Sequence, residues 1–373
     1  MTRQSDPVAT PREWVGEHLF PWPPTLGLAD GEEVVACFAL LAVTAGRTRD
    51  GTAFLKLQLT DCYGAVEARV WHDVERWLRT LQPGEYVGVR GRIEPYQEER
   101  LLRIEQIVPV RVELDDLVLF LPRSARPAQL MEAELDAFID AVREPPLQQL
   151  LLRLLDGRSE TGRLFRLAPA AKQHHHAYLG GLLEHTLSVT RVCELLAGHY
   201  QPIDRDLLLA GALMHDIGKI REIGTRSGFP YTDEGKLLGH ILIGLQLIAD
   251  AAADVAGLSA ERLLLVQHLV ASHQGRFEWQ SPREPRTLEA LLLHYADDLD
   301  AKVNQASALL AAVDHGWTAY DRTFGRDFLR HRPADERPVP LSAPVPRVIG
   351  GPVTVARARP APRRLDTLDL FDT

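Results

Sequence analysis

Between residues 32 and 112, apolar side chains recur in short alternating runs such as "AFLKLQLTD", separated by turn signals at Asp50-Gly51 and Pro83-Gly84. Alternation with a period of two is typical of half-buried β-strands, and these runs predict five strands. A short helical stretch, "VERWLRTL", lies between the third and fourth strands. Five short strands with a helix in this position are the layout of an OB-type β-barrel.

From residue 128 to about residue 330 the pattern changes, and leucines recur with the period of an α-helix. We therefore expect an all-α domain after the barrel. The two ends of the chain are rich in proline and polar or arginine residues and follow neither period, which is typical of loose or disordered chain. The predicted organisation is a loose leader (1–30), a barrel (31–113), a linker (114–127), a helical domain (128–330) and a disordered tail (331–373).

Composition narrows the class of protein. The chain has 373 residues, of which 45% are hydrophobic, and this is enough for two cores. A formal net charge of −9 excludes a histone-like polycation, so nucleic acid would have to bind to a local patch. The cysteines, Cys37, Cys62 and Cys193, are too few and too far apart for a disulfide framework or a zinc ribbon. No run approaches the roughly 18 apolar residues of a membrane span, and no signal peptide is evident, so we expect a cytoplasmic protein with no membrane partner.

Histidines and aspartates that interrupt the leucine-rich helices are the candidate functional residues. His215 and Asp216 are adjacent at the end of one predicted helix, which Gly218 is expected to end, and the others lie on separate helices. A single buried histidine is commonly a hydrogen-bonded core residue, but buried carboxylates need a cation. Helical bundles build metal centres in this way, and mixed nitrogen and oxygen ligation suits Mn, Fe, Co, Ni or Zn. The candidate ligands are His185, His215, Asp216, His240, His273 and Asp297.

The order of these residues resembles the HD superfamily of metal-dependent phosphohydrolases. The chain carries "HHAYLGGLLEHTLSV", "LLLAGALMHDIGKI", "YTDEGKLLGHI" and "HYADDLDAKVN". With the preceding barrel, these motifs are similar to those of YhaM-type 3′→5′ exoribonucleases over about residues 32–325. The chain departs from that pattern at Gln274, where the family usually has a second histidine, and at Gln280, where it usually has glycine.

The resemblance implies two metal ions that share Asp216. The first would be held by His185, His215, Asp216 and Asp297, and the second by Asp216, His240 and His273. Manganese is the expected ion, with iron, cobalt, nickel and zinc as alternatives. Asp216, His215 and Lys219 would be catalytic, with Lys219 offsetting negative charge on the reacting phosphorus group. The alternative for Lys219 is a cation that stabilises a helix C-terminus.

Several other residues are candidates for contact with substrate. Basic residues can follow a phosphate backbone, and aromatic residues can stack on bases. Each also has a plainer interpretation, as part of a solvated surface or of a core. We expect Gln274 to be a donor beside the ligands, Asp298 to point away, and Asp300 to pair with Lys302 or a substrate-facing arginine. The candidates are His175, His176, Arg163, Arg166 and Lys172 in the helical domain, and Phe54, Lys56 and Trp71 in the barrel.

The preferred hypothesis is a metal-dependent exonuclease that removes nucleoside 5′-monophosphates from the 3′ end of single-stranded RNA, with single-stranded DNA as a second substrate. Its direction and RNA preference come from the resemblance alone. The alternatives are an HD-type phosphohydrolase or phosphodiesterase acting on small nucleotides, and a replication-associated module that binds nucleic acid.

The last residues form a separate motif. Leu368, Leu370 and Phe371 in "LDLF" resemble the peptide by which bacterial proteins bind the DNA sliding clamp, although Thr367 stands where that motif prefers glutamine. The alternative is a solvated tail with three chance hydrophobic residues.

Overall fold

The computed structural model describes residues 9–16, 28–96, 99–172, 176–226 and 228–331. Its first domain is a closed barrel in the order β1-β2-β3-β5-β4, in which only β3 and β5 pair in parallel. The predicted five-stranded OB-type barrel is therefore confirmed, with a helix between the third and fourth strands. The elements are β1 (Glu33–Arg47), β2 (Ala53–Thr60), β3 (Ala65–Val70), β4 (Tyr86–Tyr96) and β5 (Glu99–Pro109), with α1 (Pro11–Val15) before them and α2 (Val74–Thr80) after β3.

Alternation along β2 shows how sequence sets the two faces of the barrel. Leu55, Leu57 and Leu59 are fully buried, so they point inward, whereas Lys56 between them is exposed. Part of the predicted loose leader packs on this barrel, because the Trp14 ring of α1 lies against Gly88, where a Cβ would come within 2.7 Å of it.

The second domain is all-α, as predicted. Its centre is α7, in which every residue from Leu207 to Met214 is buried. Helices α4, α6, α10 and α11 pack around it. The elements are α3 (Ala128–Ala141), α4 (Pro145–Leu155), α5 (Glu160–Leu167), α6 (Gly181–His199), α7 (Arg205–Met214), α8 (Lys219–Glu222), α9 (Asp233–Ala252), α10 (Ala260–Ser272) and α11 (Leu288–Ala311), followed by the short strands β6 (Gly316–Trp317) and β7 (Leu329–Arg330).

Within the described residues, α9 is the one helix long and apolar enough to qualify as a candidate membrane span, with a mean hydropathy of 1.3. It is also interrupted at Gly239 and packs against α8 and α10. Of its apolar window, 28% is buried within the protein.

The two domains share an apolar contact next to the site described below. Ile223 and Phe229, which lie between α8 and α9, belong to the same apolar cluster as the barrel interior. The Tyr86 hydroxyl of β4 donates a hydrogen bond to the Thr225 carbonyl oxygen at 3.3 Å. The segment that follows α8 is therefore fixed to the barrel.

Candidate metal centre

The His215-Asp216 pair lies directly after α7, in the interior of the helical domain. Their exposed fractions are 0% and 2%. The helix ends at Met214, and Gly218 has ordinary helical angles (φ −66°, ψ −17°), so the prediction that Gly218 ends the helix is wrong. Glycine is needed there for a different reason: a Cβ on Gly218 would lie 1.9 Å from the His240 carbonyl oxygen. The absence of a side chain lets α9 approach the pair.

Asp216 lies between two groups of ligand atoms. Its Oδ2 is 3.5 Å from His185 Nε2 and 3.3 Å from His215 Nε2. Its Oδ1 is 3.4 Å from His240 Nε2 and 3.6 Å from His273 Nε2. Within each group the atoms lie within 4.8 Å of one another, which is the reach of a single ion.

Asp297 completes the first group from α11, with its Oδ1 3.1 Å from His185 Nε2 and 3.8 Å from His215 Nε2. The structure thus brings together all six side chains that the sequence singled out as ligands, from five different helices or helix ends.

The hydrogen bonds at the Nδ1 atoms orient all four imidazole rings. His215 Nδ1 faces the Ala212 carbonyl and His273 Nδ1 the Val270 carbonyl, each at 2.8 Å. His185 Nδ1 and His240 Nδ1 face carboxylates instead. Because these acceptors take the Nδ1 proton, Nε2 is the ring atom that faces Asp216 and that can offer a lone pair to a cation. Lone pairs that converge on a buried carboxylate are the donor set of a cation site.

The Oδ1 atom of Asp216 indicates whether a cation fits in the second group of ligands. Asp216 Oδ1 is buried and has no hydrogen-bond partner among the described residues. An unpartnered buried carboxylate oxygen is costly, because burial removes its hydration. A cation bound between Asp216 Oδ1, His240 and His273 would give this oxygen a partner.

The two groups differ in their electrostatics. Burial alone would lower the pKa of His185, but the carboxylates of Asp297 and Asp300 outweigh it and raise that pKa to about 9. Burial, with the neighbouring His215, lowers the pKa of His273 to about 3. Without a metal, the negative charge of the first group therefore keeps a proton on His185, which a bound cation would replace, while the second group presents a neutral nitrogen ligand.

Lys219 is the first residue of the four-residue helix α8. Its Nζ lies 2.6 Å from Asp216 Oδ2. Burial would lower the pKa of Lys219, but Asp216 raises it on balance, so the ammonium is retained. The pKa of Asp216 is in turn held well below its usual range, since Lys219 and His215 outweigh the effect of burial.

Asp300 is a supporting residue that the sequence interpretation misjudged. Its Oδ2 accepts from His185 Nδ1 at 2.8 Å, and its Oδ1 accepts from the Ser188 hydroxyl. Lys302 instead pairs with Asp298 at 2.6 Å, so the predicted Asp300–Lys302 pair is wrong. The position of Asp300 three residues after Asp297 places both on one helix face, a signal that could have identified it.

Glu222 supports the second group in the same way. Its Oε1 accepts from the backbone N–H of His240 at 3.0 Å and lies 3.2 Å from His240 Nδ1. The backbone N–H is free for this bond because α9 is broken at Gly239 (φ 71°, ψ 159°), a conformation that requires glycine. His294 was likewise missed, and its Nδ1 donates to the His273 carbonyl oxygen at 2.9 Å.

The candidate substrate residues of the helical domain lie in different environments. His176 is buried, with Nδ1 2.9 Å from the Tyr178 hydroxyl and Nε2 3.5 Å from Asp300, so it lies behind the ligands and not at a phosphate-binding surface. His175 lies outside the described residues, and Lys172 is exposed. Arg163 pairs with Asp115 at 3.2 Å.

Arg166 is committed to the protein interior. Its Nη1 donates to the carbonyl oxygens of Leu155 at 2.6 Å and Gly162 at 2.9 Å. These bonds join the ends of α4 and α5. The structure therefore gives Arg166 a role in packing, in place of the predicted contact with substrate.

On the barrel, the predicted substrate residues form one outer face. The Phe54 and Trp71 rings are 5.0 Å apart, and the Arg69 guanidinium lies 4.9 Å from the Phe54 ring and 4.1 Å from the Tyr96 ring. Lys56 Nζ lies 2.5 Å from Glu67. Arg69 and Tyr96 thus extend the surface made by Phe54 and Trp71.

A cleft of about 480 Å³ opens beside the second ligand group. Lys219, His240 and Gln274 line it, together with Tyr231 and Trp279. Gln274 Nε2 is 3.2 Å from His273 Nε2, which places the amide beside the ligands.

Comparisons with known proteins agree with this architecture. The HD domain family matches residues 182–302, and an OB-fold nucleic acid binding domain family matches residues 41–110. The chain is 35% identical to the 3′-5′ exoribonuclease YhaM of Bacillus licheniformis and to that of Bacillus subtilis, in each case over 77% of this chain and 90% of the relative. The chain belongs to the YhaM family. The YhaM of Halalkalibacterium halodurans is 33% identical over the same share of this chain and 88% of its own length.

Membership in the YhaM family confirms the resemblance, the order of barrel and HD domain, and the interpretation as an HD-type hydrolase. HD domains are metal-dependent, and the ligand groups described above are residues that could bind metal. Among solved structures, the second OB-fold domain of replication protein A from Methanococcus maripaludis is 15% identical, with a TM-score of 0.21, and the match covers 24% of this chain and 94% of that one.

Proposed function

We propose that this protein is a metal-dependent 3′→5′ exonuclease that shortens single-stranded RNA, with single-stranded DNA as a second substrate, and releases nucleoside 5′-monophosphates. The observation that carries the proposal is the pair of ligand groups that share Asp216 and adjoin an open cleft. The direction and the RNA substrate are supported by relatives named 3′-5′ exoribonuclease YhaM.

The two groups would hold two divalent cations, with manganese as the expected ion and iron, cobalt, nickel or zinc as alternatives. His185, His215, Asp216 and Asp297 would hold one ion, and Asp216, His240 and His273 the other. When bound, such ions supply Lewis-acid activation of water and of phosphoryl oxygens.

The chain's own residues then orient and neutralise the substrate. The retained ammonium of Lys219 lines the cleft, where it can stabilise negative charge that develops on the phosphoryl oxygens. The amide of Gln274 offers hydrogen-bond donors at the same wall. The glycine-dependent approach of α9 at Gly218 keeps His240 facing Asp216, so these donors are preorganised.

The barrel face of Phe54, Arg69, Trp71 and Tyr96 would hold the upstream part of the strand. Aromatic rings stack on bases of any identity, and an arginine among them adds cation–π attraction. This arrangement suits an enzyme that degrades strands without regard to sequence.

The proposal is tested with 5′-labelled single-stranded RNA and the matching DNA, incubated with the protein and Mn²⁺. A ladder that shortens from the 3′ end, and that disappears with a chelator or in Asp216→Ala, is the expected result. An intact strand that still binds the protein would contradict the proposal and favour a small-nucleotide phosphohydrolase or a binding module.

We further propose a cytoplasmic location, which the three free cysteines suit.

The terminal Leu368, Leu370 and Phe371 lie outside the described residues, and we propose that they bind the DNA sliding clamp as a short hydrophobic peptide. Deleting residues 366–373 is expected to abolish clamp binding in a pull-down, and unchanged binding would refute this role.

A further inference from the structure

The cleft beside the second ligand group has an aromatic wall as well as a polar floor. Lys219, His240 and Gln274 form the polar side, and Trp279 lines the same cleft. Trp279 is 42% exposed and lines the cleft, so part of its indole ring is accessible to a ligand.

Hydrogen bonds hold Trp279 in this exposed position. It ends a short 3₁₀ turn, Phe277–Trp279, and its backbone N–H donates to the Arg276 carbonyl oxygen at 3.1 Å. Ser281 returns the chain to α10, since its backbone N–H bonds the Arg276 carbonyl oxygen and its hydroxyl the Ala271 carbonyl oxygen. Gln280 between them adopts a left-handed conformation (φ 67°), which glycine would adopt with less strain. The turn therefore displays the indole ring.

Two cationic side chains lie over the face of the exposed ring. The Arg276 guanidinium carbon is 5.1 Å from the ring centroid, and Lys302 Nζ is 5.7 Å from it. A base that stacks on the ring takes the place of one of these cations, which can then pair with a phosphate. The base can stack while the phosphate is neutralised.

We infer that Trp279 is the stacking platform for the 3′-terminal nucleobase of the substrate, an inference that rests on the proposed function. The terminal phosphodiester would lie at the ligand groups, and the terminal nucleoside would occupy the cleft with its base on the indole ring. Every base has a π face, so this contact holds any terminal nucleotide without selecting among the four.

The test compares an RNA oligonucleotide with the same oligonucleotide ending in an abasic nucleotide. Trp279→Ala is expected to raise KM for the complete RNA by about 10-fold, with kcat changed much less, while Trp279→Phe retains most of the activity. On the abasic substrate the wild-type protein and Trp279→Ala should have nearly equal kcat/KM. An equal loss on both substrates, or no loss on either, would overturn the inference. Trp317→Ala is the matched control, because Trp317 is 63% exposed in β6 and does not line the cleft.

A binding measurement separates this inference from the proposed function. In calorimetry with Mn²⁺, the wild-type protein should bind AMP about 10-fold more tightly than ribose 5-phosphate, and Trp279→Ala should bind both equally. If this preference is found but no RNA is shortened, the stacking site stands and the exonuclease proposal fails. If the wild-type protein shows no preference for AMP, the stacking inference fails whether or not RNA is degraded.

Discussion

The carboxylate of Asp300 provides the sharpest test of how the metal centre is supported. It is 12% exposed and accepts a hydrogen bond from His185 Nδ1 at 2.8 Å. It also accepts from the Ser188 hydroxyl. In Asp300→Asn the shape is kept, but the negative charge that makes His185 a more basic ligand is lost. The amide must also turn its NH2 donor toward groups that donate to the carboxylate in the wild-type protein.

The size of the effect follows from the type of bond that is lost. A charge-assisted hydrogen bond is roughly twice as strong as a neutral one, and losing a carboxylate behind a metal-bound histidine reduces metal affinity about 10- to 100-fold. This corresponds to roughly 1.4–2.7 kcal/mol, since each tenfold change is about 1.4 kcal/mol. The half-saturating concentration of Mn²⁺ should rise by that factor.

Calorimetric titration with Mn²⁺ measures this affinity without any assumption about the substrate. Asp298→Asn is the matched control, because Asp298 lies on the same helix and pairs with Lys302 at the surface. It should change Mn²⁺ affinity less than about 2-fold, as expected for an exposed ion pair. Equal affinities for wild type and Asp300→Asn, or equal losses in both variants, would refute the role assigned to the Asp300–His185 bond.

Two further variants test other parts of the structure. Gly218→Ala should displace His240 and greatly reduce Mn²⁺ binding in the same titration, because its Cβ would lie 1.9 Å from the His240 carbonyl oxygen; full binding would show that α9 can move away without loss. Asp204→Ala should lower the free energy of unfolding in urea by about 1 kcal/mol at pH 7, since Asp204 caps α7 and pairs with Arg262 at a partly exposed site where solvent weakens the pair. Burial alone would raise the pKa of Asp204, but Arg262 outweighs it, so this pKa is lowered in the folded protein. The stabilisation by Asp204 is therefore complete above the unfolded pKa of about 4 and is lost as the pH falls further. A difference between Asp204→Ala and wild type that stays constant from pH 7 to pH 3 would contradict this.

The parts of the fold that sequence predicts are those set by local periodicity. Leu55, Leu57 and Leu59 alternate with outward residues, so the strand and its two faces could be assigned without a structure. The candidate ligands were visible because a histidine or aspartate among helix-core leucines stands out. Their assembly at one point, however, came from the resemblance to known HD proteins.

The supporting contacts could not be predicted because they depend on how distant elements pack. Asp300 meets His185 across 115 positions of the chain, and no local pattern distinguishes that partner from Lys302. At the break of α9 at Gly239, the partner of the freed His240 N–H is Glu222 of another helix, which no local pattern indicates. Arg166 resembled a surface cation in sequence, yet carbonyl groups at the ends of two helices hold it.

Consecutive residues at the end of α8 connect the two domains more closely than a linker would. Glu222 holds a ligand histidine, while Ile223 lies in the apolar interior that the barrel shares with Phe229 and Leu179. Excising the barrel would expose these three apolar side chains to water one residue away from the metal centre. A chimera with an exchanged barrel would therefore have to keep the apolar contacts of Leu179, Ile223 and Phe229 with the new barrel.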